Sequence, residues 1–391
     1  MKKLIKYVIG IDIAKDKCDA CLMSMDVELN IKVKSTRKFS NNANGFKELL
    51  LWQKKHCKEI VPVQILMEAT GVYHEKLAIW LTDQKLQVFV VLPNKARKFM
   101  QALGLKSKND KIDAQGLALM CAQHKFDAWK PISKFFHELR TLTRYYQSTQ
   151  EAKTMFKNQH HALQHSGYTE KTVSKQLLKT ITLFNKQIKE SKQSIIALIN
   201  INDEIKRKVY QICKIKGIDV LTVATIIAET NGFELFKNIG QLVSYAGYDV
   251  IENQSGKHVG KTKISKKGNS RIRRSLHMPA LNVVTYNEPV FVNLYERVFD
   301  NTKIKMKGYV AVQKKILVII YTLWKNDQEY NRDINQEITS RKDESKKTFS
   351  LNKKGTTTNS LKVVVLPVSS TTQDEHQYEK SHEVLFPYLQ K

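Results

Sequence analysis

The run KYVIGIDI, residues 6–13, is short, rich in β-branched residues and apolar from Val8 to Ile11, with Gly10 just ahead of Asp12. That is the pattern of a buried strand. The residues around it extend the reading. Stretches 17–25 and 29–37 alternate apolar with polar, as in the second and third strands of an antiparallel meander. Residues 41–56 are helical, with an apolar stripe through FKELLLWQKK. VPVQILME (61–68) is a further buried strand ending on Glu68. GVYHEKLAIWLTDQ (71–84) reads as a helix, and LQVFVVLP (86–93) as a buried strand stopped by Pro93.

The resulting order, β-β-β-α-β-α-β-α, is the ribonuclease H-like order. In such a sheet the ends of the first and fourth strands lie side by side, so Asp12 and Glu68 should meet at one edge. LKSKNDKIDAQGLALM, residues 105–120, supplies two more carboxylates, Asp110 and Asp113. From Ile112 the pattern is helical, with Leu117, Ala118 and Met120 on an apolar face. Residues i and i+3 share a helix face, so both acids can point into one cleft. Either acid alone is equally a helix start, where carboxylates offset the macrodipole. Four carboxylates from remote segments are a different matter, because they repel unless a cation neutralises them. Hard oxygen ligands select Mg²⁺ or Mn²⁺, and two ions about 3.5–4 Å apart would clamp a phosphodiester.

Composition narrows the partners. The chain has 391 residues, enough for two or three cores, and its 42% hydrophobic content is that of a globular protein. Sixty-five lysines and arginines against 37 acids leave a net charge of +28. Charge on that scale points to a polyanion, nucleic acid first. No apolar run approaches the ~18 residues of a membrane span, and Asp12 interrupts the apolar start early, so a cytoplasmic, nucleoid-associated protein with no membrane partner is expected. Cys18 and Cys21 form one CxxC with no second Cys/His pair at a zinc spacing, and on a strand they face opposite sides. They read as buried thiols. His160, His161 and His165 fall on a lysine-rich helical stretch, a solvated or RNA-facing surface rather than a metal site.

The chain divides into four parts: 1–130, the α/β catalytic domain; 131–210, a helical coiled-coil region; 211–335, a mainly α domain; and 336–391, a polar, disordered tail. Residues 134–210 hold no proline and no glycine but Gly167, which suits long paired helices. ICKIKGIDVLTVATIIAETNG then places a glycine turn between two apolar helices. It resembles a helix-hairpin-helix, whose turn amides grip a phosphate.

The most basic segment is 242–281. Between Lys257 and Arg274 stand eight lysines or arginines and no acid, and Gly256, Gly260 and Gly268 keep it from being one helix before about Ser270. A glycine-bearing basic loop suits close approach to a phosphate backbone. A serine there would need activation to act as a nucleophile, and the residues alone leave Ser255, Ser265 and Ser270 open.

GIDIAKD, MEATGVYHEKLA and KNDKIDAQGLA resemble the three N-terminal signatures of the DEDD transposases of the insertion-sequence 110 family, whose catalytic domain is similar to the RuvC Holliday-junction resolvase. By that resemblance Asp12, Glu68, Asp110 and Asp113 are the catalytic, metal-holding tetrad. The segment 242–281 resembles the family's C-terminal domain, in which a serine before a glycine is followed by ISK and GN. Counting back from Ile264-Ser265-Lys266, Ser255 falls on that serine, with Gln254 in place of a preceding serine and Lys257 in place of a second glycine. The resemblance implies a transposase moving an insertion sequence through a phosphoserine intermediate with Mg²⁺ (or Mn²⁺). Lys257, Lys261, Lys263, Lys266 and Arg271 would be on the nucleic-acid backbone. It also implies a structured non-coding bridge RNA as guide, DNA element ends and target as substrates, and a dimer or tetramer in which one protomer's tetrad meets another's serine. Two other readings use the same residues: a RuvC-like junction endonuclease without serine catalysis, and a nucleic-acid-binding protein with structural carboxylates.

Overall fold

The computed structural model describes residues 3–332, apart from 70, 105–108, 169, 253, 257 and 261. The expected tail at 336–391 lies outside them. The N-terminal part runs β1 (Leu4–Ile13), β2 (Lys17–Asp26), β3 (Ile31–Ser40), α1 (Ala43–His56), β4 (Val63–Glu68), α2 (Glu75–Asp83), β5 (Gln87–Val91), α3 (Pro93–Ala102) and α4 (Asp110–Gln123). The five strands form one sheet in the order β3-β2-β1-β4-β5. β2 is antiparallel to β1 and β3, whereas β1, β4 and β5 run parallel. This is the ribonuclease H-like arrangement.

The two faces of the sheet follow from the period of two. Tyr7, Ile9 and Ile11 join Ile65 and Met67 beneath Phe46 and Leu49 of α1 and Leu77 of α2. Val8 joins Leu66 and Phe89 on the other face, covered by Ala114, Leu117 and Ala118 of α4. Cys18 and Cys21 fall in these two opposite cores, both as buried free thiols. Gly10 fixes how α4 lies: a Cβ there would sit 2.1 Å from the Ala118 nitrogen and 2.2 Å from the Ala114 oxygen. The helix therefore rests directly on the backbone of β1. Pro93 ends the apolar strand run, as the sequence suggests, and also opens α3 as its first residue, a helix not read from the sequence.

A second core gathers the remaining helices. These are α5 (Lys134–Gln164), α6 (Lys171–Ile201), α7 (Asp203–Ile212), α8 (Val220–Thr230), α9 (Ile239–Ala246), α10 (Ser270–Ser275), α11 (His277–Thr285), α12 (Pro289–Thr302) and α13 (Lys305–Asn326). Four two-residue strands, β6 (Val250–Ile251), β7 (Gln254–Ser255), β8 (His258–Val259) and β9 (Lys263–Ile264), lie between α9 and α10. α5 and α6 pack along each other as the expected helical hairpin. Phe136 and Leu139 of α5 and Ile195 and Ile199 of α6 root it in the core with Ile227, Ile272 and Ile316. The rings of His161 and His165 lie 4.3 Å apart, tilted by 52°, at its exposed tip.

The glycine turn between α7 and α8 is present, with Gly217 at φ +98°. Its missing Cβ leaves room for α11, since a Cβ would lie 2.9 Å from the Val283 nitrogen. Asp219 caps α8 through the Val220 amide at 2.7 Å. That cap sets a carboxylate at the start of α8. Among the described residues no helix is long and apolar enough to cross a membrane.

Candidate active site

The sheet delivers Asp12 and Glu68 to one edge. Val8, Gly10 and Asp12 alternate onto the α4 face of β1, as do Leu66 and Glu68 on β4. The last paired residues of the two strands are Ile11 and Met67, so Asp12 and Glu68 follow one step beyond, on neighbouring strands. α4 completes the edge. Asn109 caps it by accepting from the Ile112 amide at 2.9 Å, which sets Asp110 and Asp113 in the first turn.

The acids act on one another. Asp12 has its pKa pushed up to about 6, first by burial and then by the charges of Asp113, Asp110, Glu68 and Asp19. Asp12 thus lies within electrostatic range of the other three members of the sequence-derived tetrad. Among the described residues, however, no three His, Cys, Asp or Glu side chains meet closely enough to hold an ion as they stand. The electrostatic coupling reaches further than direct ligation does. Lys17, the first residue of β2, donates to Asp110 at 2.7 Å and holds that carboxyl below its usual range. Lys38 lies 3.6 Å from Asp19. Asn41 ties the edge loops together: its side-chain amide donates to the carbonyls of Ala14 at 2.9 Å, Lys15 at 3.4 Å and Tyr73 at 3.2 Å. Neither Lys17 nor Asn41 was legible as part of the site, because their roles arise from strand pairing.

The serine segment forms a nested hairpin. β6 pairs with β9 at its base, and β7 pairs with β8 at its tip, where Ser255 faces His258 in register. Gly256 turns the tip at φ +55° with open space around it. Ser255 is exposed. Ser265 is different: its hydroxyl accepts from the Lys267 amide at 3.3 Å and its own amide donates to the Asp249 carbonyl at 2.8 Å. Ser270 opens α10. Lys263 and Lys266 are exposed, Arg271 is half-buried and donates to Gln147 of α5 at 3.5 Å, and Lys257 and Lys261 lie outside the described residues.

A buried carboxylate that the sequence reading missed anchors the hairpin's exit. Glu229 accepts from Arg144 at 2.7 and 2.9 Å and from the Asn269 amide at 2.8 Å. Burial would push its carboxyl up, but these donors outweigh it and hold the group below its usual range. Asn269 in turn caps α10 through the Arg271 and Ile272 amides. Gly268 is required next to it, since a Cβ would lie 2.4 Å from the Tyr245 carbonyl oxygen. The signal available was a lone acid inside the apolar helix VLTVATIIAET. Among the described residues, Ser255 makes no hydrogen bond with any of the four carboxylates.

Known proteins with similar sequences cover both parts. Residues 9–169 match the DEDD transposase model of the IS110 group, and residues 209–296 match the model described as transposase of the IS116/IS110/IS902 family. The pilin gene-inverting protein of Moraxella bovis is 29% identical over 334 residues, spanning 85% of this chain and 99% of that protein. That of Moraxella lacunata is similar to the same extent. Among solved structures, Thermus thermophilus RuvC superposes with a TM-score of 0.25 and 11% identity over 32% of this chain and 99% of its own. An Aquifex aeolicus PPX-GPPA enzyme gives 0.19 and 9% over 49% and 93%. With the two family models together spanning more than half its length, the chain belongs to the IS110 family of transposases.

Proposed function

We propose that this transposase recombines DNA with two kinds of group, a carboxylate cluster at the sheet edge and a serine on the hairpin arm. Asp12, Glu68, Asp110 and Asp113 would hold the divalent ion. The donor set fits one: four hard oxygen ligands, of which Asp12 is lifted to about 6 by burial first and by its neighbours' charges second. Mg²⁺ or Mn²⁺ bound there would neutralise the cluster and draw charge from the scissile phosphate. Ser255 would then attack phosphorus through its hydroxyl oxygen. The bond from phosphorus to the neighbouring sugar oxygen breaks, and the departing sugar hydroxyl ends with the proton. Attack by a sugar hydroxyl on the phosphoserine would reverse these changes and rejoin a new strand.

The meeting of the β1 and β4 ends at one sheet edge, one step past the Ile11–Met67 pair and with Asp110 and Asp113 in the first turn of α4, is the observation that carries this reading. The exposed hairpin tip supports the serine, since a nucleophile for DNA must reach outward. Among the described residues Ser255 makes no hydrogen bond to its own chain's carboxylates, which suits a homo-oligomer pairing one protomer's edge with another's arm. The charge of +28 suits a structured guide RNA as well as DNA. In that arrangement base pairing chooses the sites and the protein reads backbone and shape. The same lack of contact favours a second reading, a junction endonuclease that cuts with water and uses the hairpin only for grip.

Asp113→Asn tests the metal site. It should abolish strand cleavage while nucleic-acid binding stays within about twofold. Wild-type cleavage that persists in excess EDTA would sink the assignment.

A further inference from the structure

A cavity of about 510 Å³ opens between α2, the start of α5 and the turn after α8. Its wall is not that of a packing defect. Ile79, Trp129 and Leu235 give it apolar and aromatic surface, and Lys130, Lys134 and Arg140 give it three cations against one carboxylate, Glu75. Arg140 is held in place by its Nε, which donates to the Ala228 carbonyl at 3.1 Å.

Two more lining residues are unusual. His74 Nδ1 and Asn231 Oδ1 are buried and lack a hydrogen-bond partner, in side chains only 8% and 1% exposed. Orphaned buried polar atoms are rare in folded proteins. Two of them in the wall of one cavity mark a place for a polar guest. Burial also lowers the pKa of His74, which keeps its ring neutral and able to accept as well as donate.

The position is equally telling. His74 follows Glu68 by one short loop, and Asn41 binds the Tyr73 carbonyl together with those of Ala14 and Lys15, just past Asp12. The cavity is thus tied by hydrogen bonds to the carboxylate edge. It combines an anion site, an aromatic and apolar wall and unpaired base-like hydrogen-bonding groups, in a volume typical of a small-ligand pocket.

We propose that this cavity receives one unstacked nucleotide of a bound single strand. Its phosphate would lie on Lys130, Lys134 and Arg140, its base against Trp129, Ile79 and Leu235, and its polar edge toward His74 and Asn231. Aromatic stacking of a splayed base beside a basic track is how single strands are held without duplex geometry. The proposal rests on the chain being a nucleic-acid enzyme, and on neither Ser255 nor the metal.

The test is fluorescence anisotropy with the full chain in EDTA, using labelled single-stranded DNA, single-stranded RNA and duplex DNA of one sequence. Two variants sit at exposed positions: Leu235→Trp adds bulk to the cavity, and Lys134→Ala removes a charge. Each should weaken single-strand binding by about fivefold or more, through the loss of a stacked base in Leu235→Trp and of a phosphate contact in Lys134→Ala, while duplex affinity changes less than about twofold. Millimolar AMP should compete with the single strand on wild type and fail on Leu235→Trp. Whether DNA or RNA loses affinity names the strand that supplies the nucleotide. Equal losses for single strand and duplex, or no loss at all, would overturn the proposal. Because nothing is cut in EDTA, an inactive Ser255 or tetrad cannot produce either result.

Discussion

Arg144 grips Glu229 with both arms of its guanidinium, Nε on one carboxylate oxygen at 2.7 Å and Nη2 on the other at 2.9 Å. The pair is lopsided: Glu229 is 1% exposed and Arg144 is 45% exposed. Removing the buried partner leaves a cation that water can reach. Removing the exposed partner leaves a buried anion with one hydrogen bond from Asn269 and the more distant charge of Arg140. Arg144→Ala should therefore cost about 3–5 kcal/mol, and Glu229→Gln only about 1–2 kcal/mol, since the amide still accepts hydrogen bonds. Guanidinium chloride unfolding at neutral pH checks the order. The reverse order would mean that Glu229 does not carry the charge assigned to it.

Asp12 gives the protein a pH dependence of defined sign. Its folded pKa of about 6 stands above the ordinary aspartate value of 3.8. Between those values the folded chain binds a proton that the unfolded chain releases, so the native state is favoured at low pH and loses that advantage as pH rises through this window. Without metal, Asp12→Asn should stabilise the protein at pH 7.5 by ~1 kcal/mol, after allowing for solvent screening of a half-buried group, and bring almost nothing at pH 4. Thermal unfolding in EDTA at the two pH values measures it. An equal effect at both would remove the electrostatic account of the edge.

Lys263 and Lys266 stand exposed on either side of Ser265 at the hairpin base. If both rest on phosphates, replacing them together by alanine should reduce the slope of log affinity against log salt by roughly 2. An unchanged slope would put the backbone contacts elsewhere, with the α5–α6 hairpin the next surface to test.

The sheet was legible because its strands carry their own apolar patterns, and two of them, β1 and β4, bring an acid to the same edge. Asp12 and Glu68 stand out for that reason, and so do Asp110 and Asp113, which open an apolar helix. What was not legible depends on register and approach. Lys17 reaches Asp110 only because β2 turns back along β1 while α4 lies flat on Gly10. Helix α3 was missed because KARKFMQA is short and polar and Pro93 looked only like a strand end. The sequence alone left three serines open. The structure separates them by what their neighbourhoods do, with Ser265 tied into a turn, Ser270 opening a helix and Ser255 exposed at a tip.

The central claim is that Ser255 joins covalently to DNA, and denaturing electrophoresis tests it most directly. Wild-type protein, labelled element-end DNA, its cognate RNA and Mg²⁺ should yield a protein–DNA band. That band should vanish with Ser255→Ala and persist with Ser265→Ala and Ser270→Ala, while all three variants still fold and bind nucleic acid. Cleavage with no such band, at the same rate in Ser255→Ala as in wild type, would contradict the account and leave a metal-dependent endonuclease in its place.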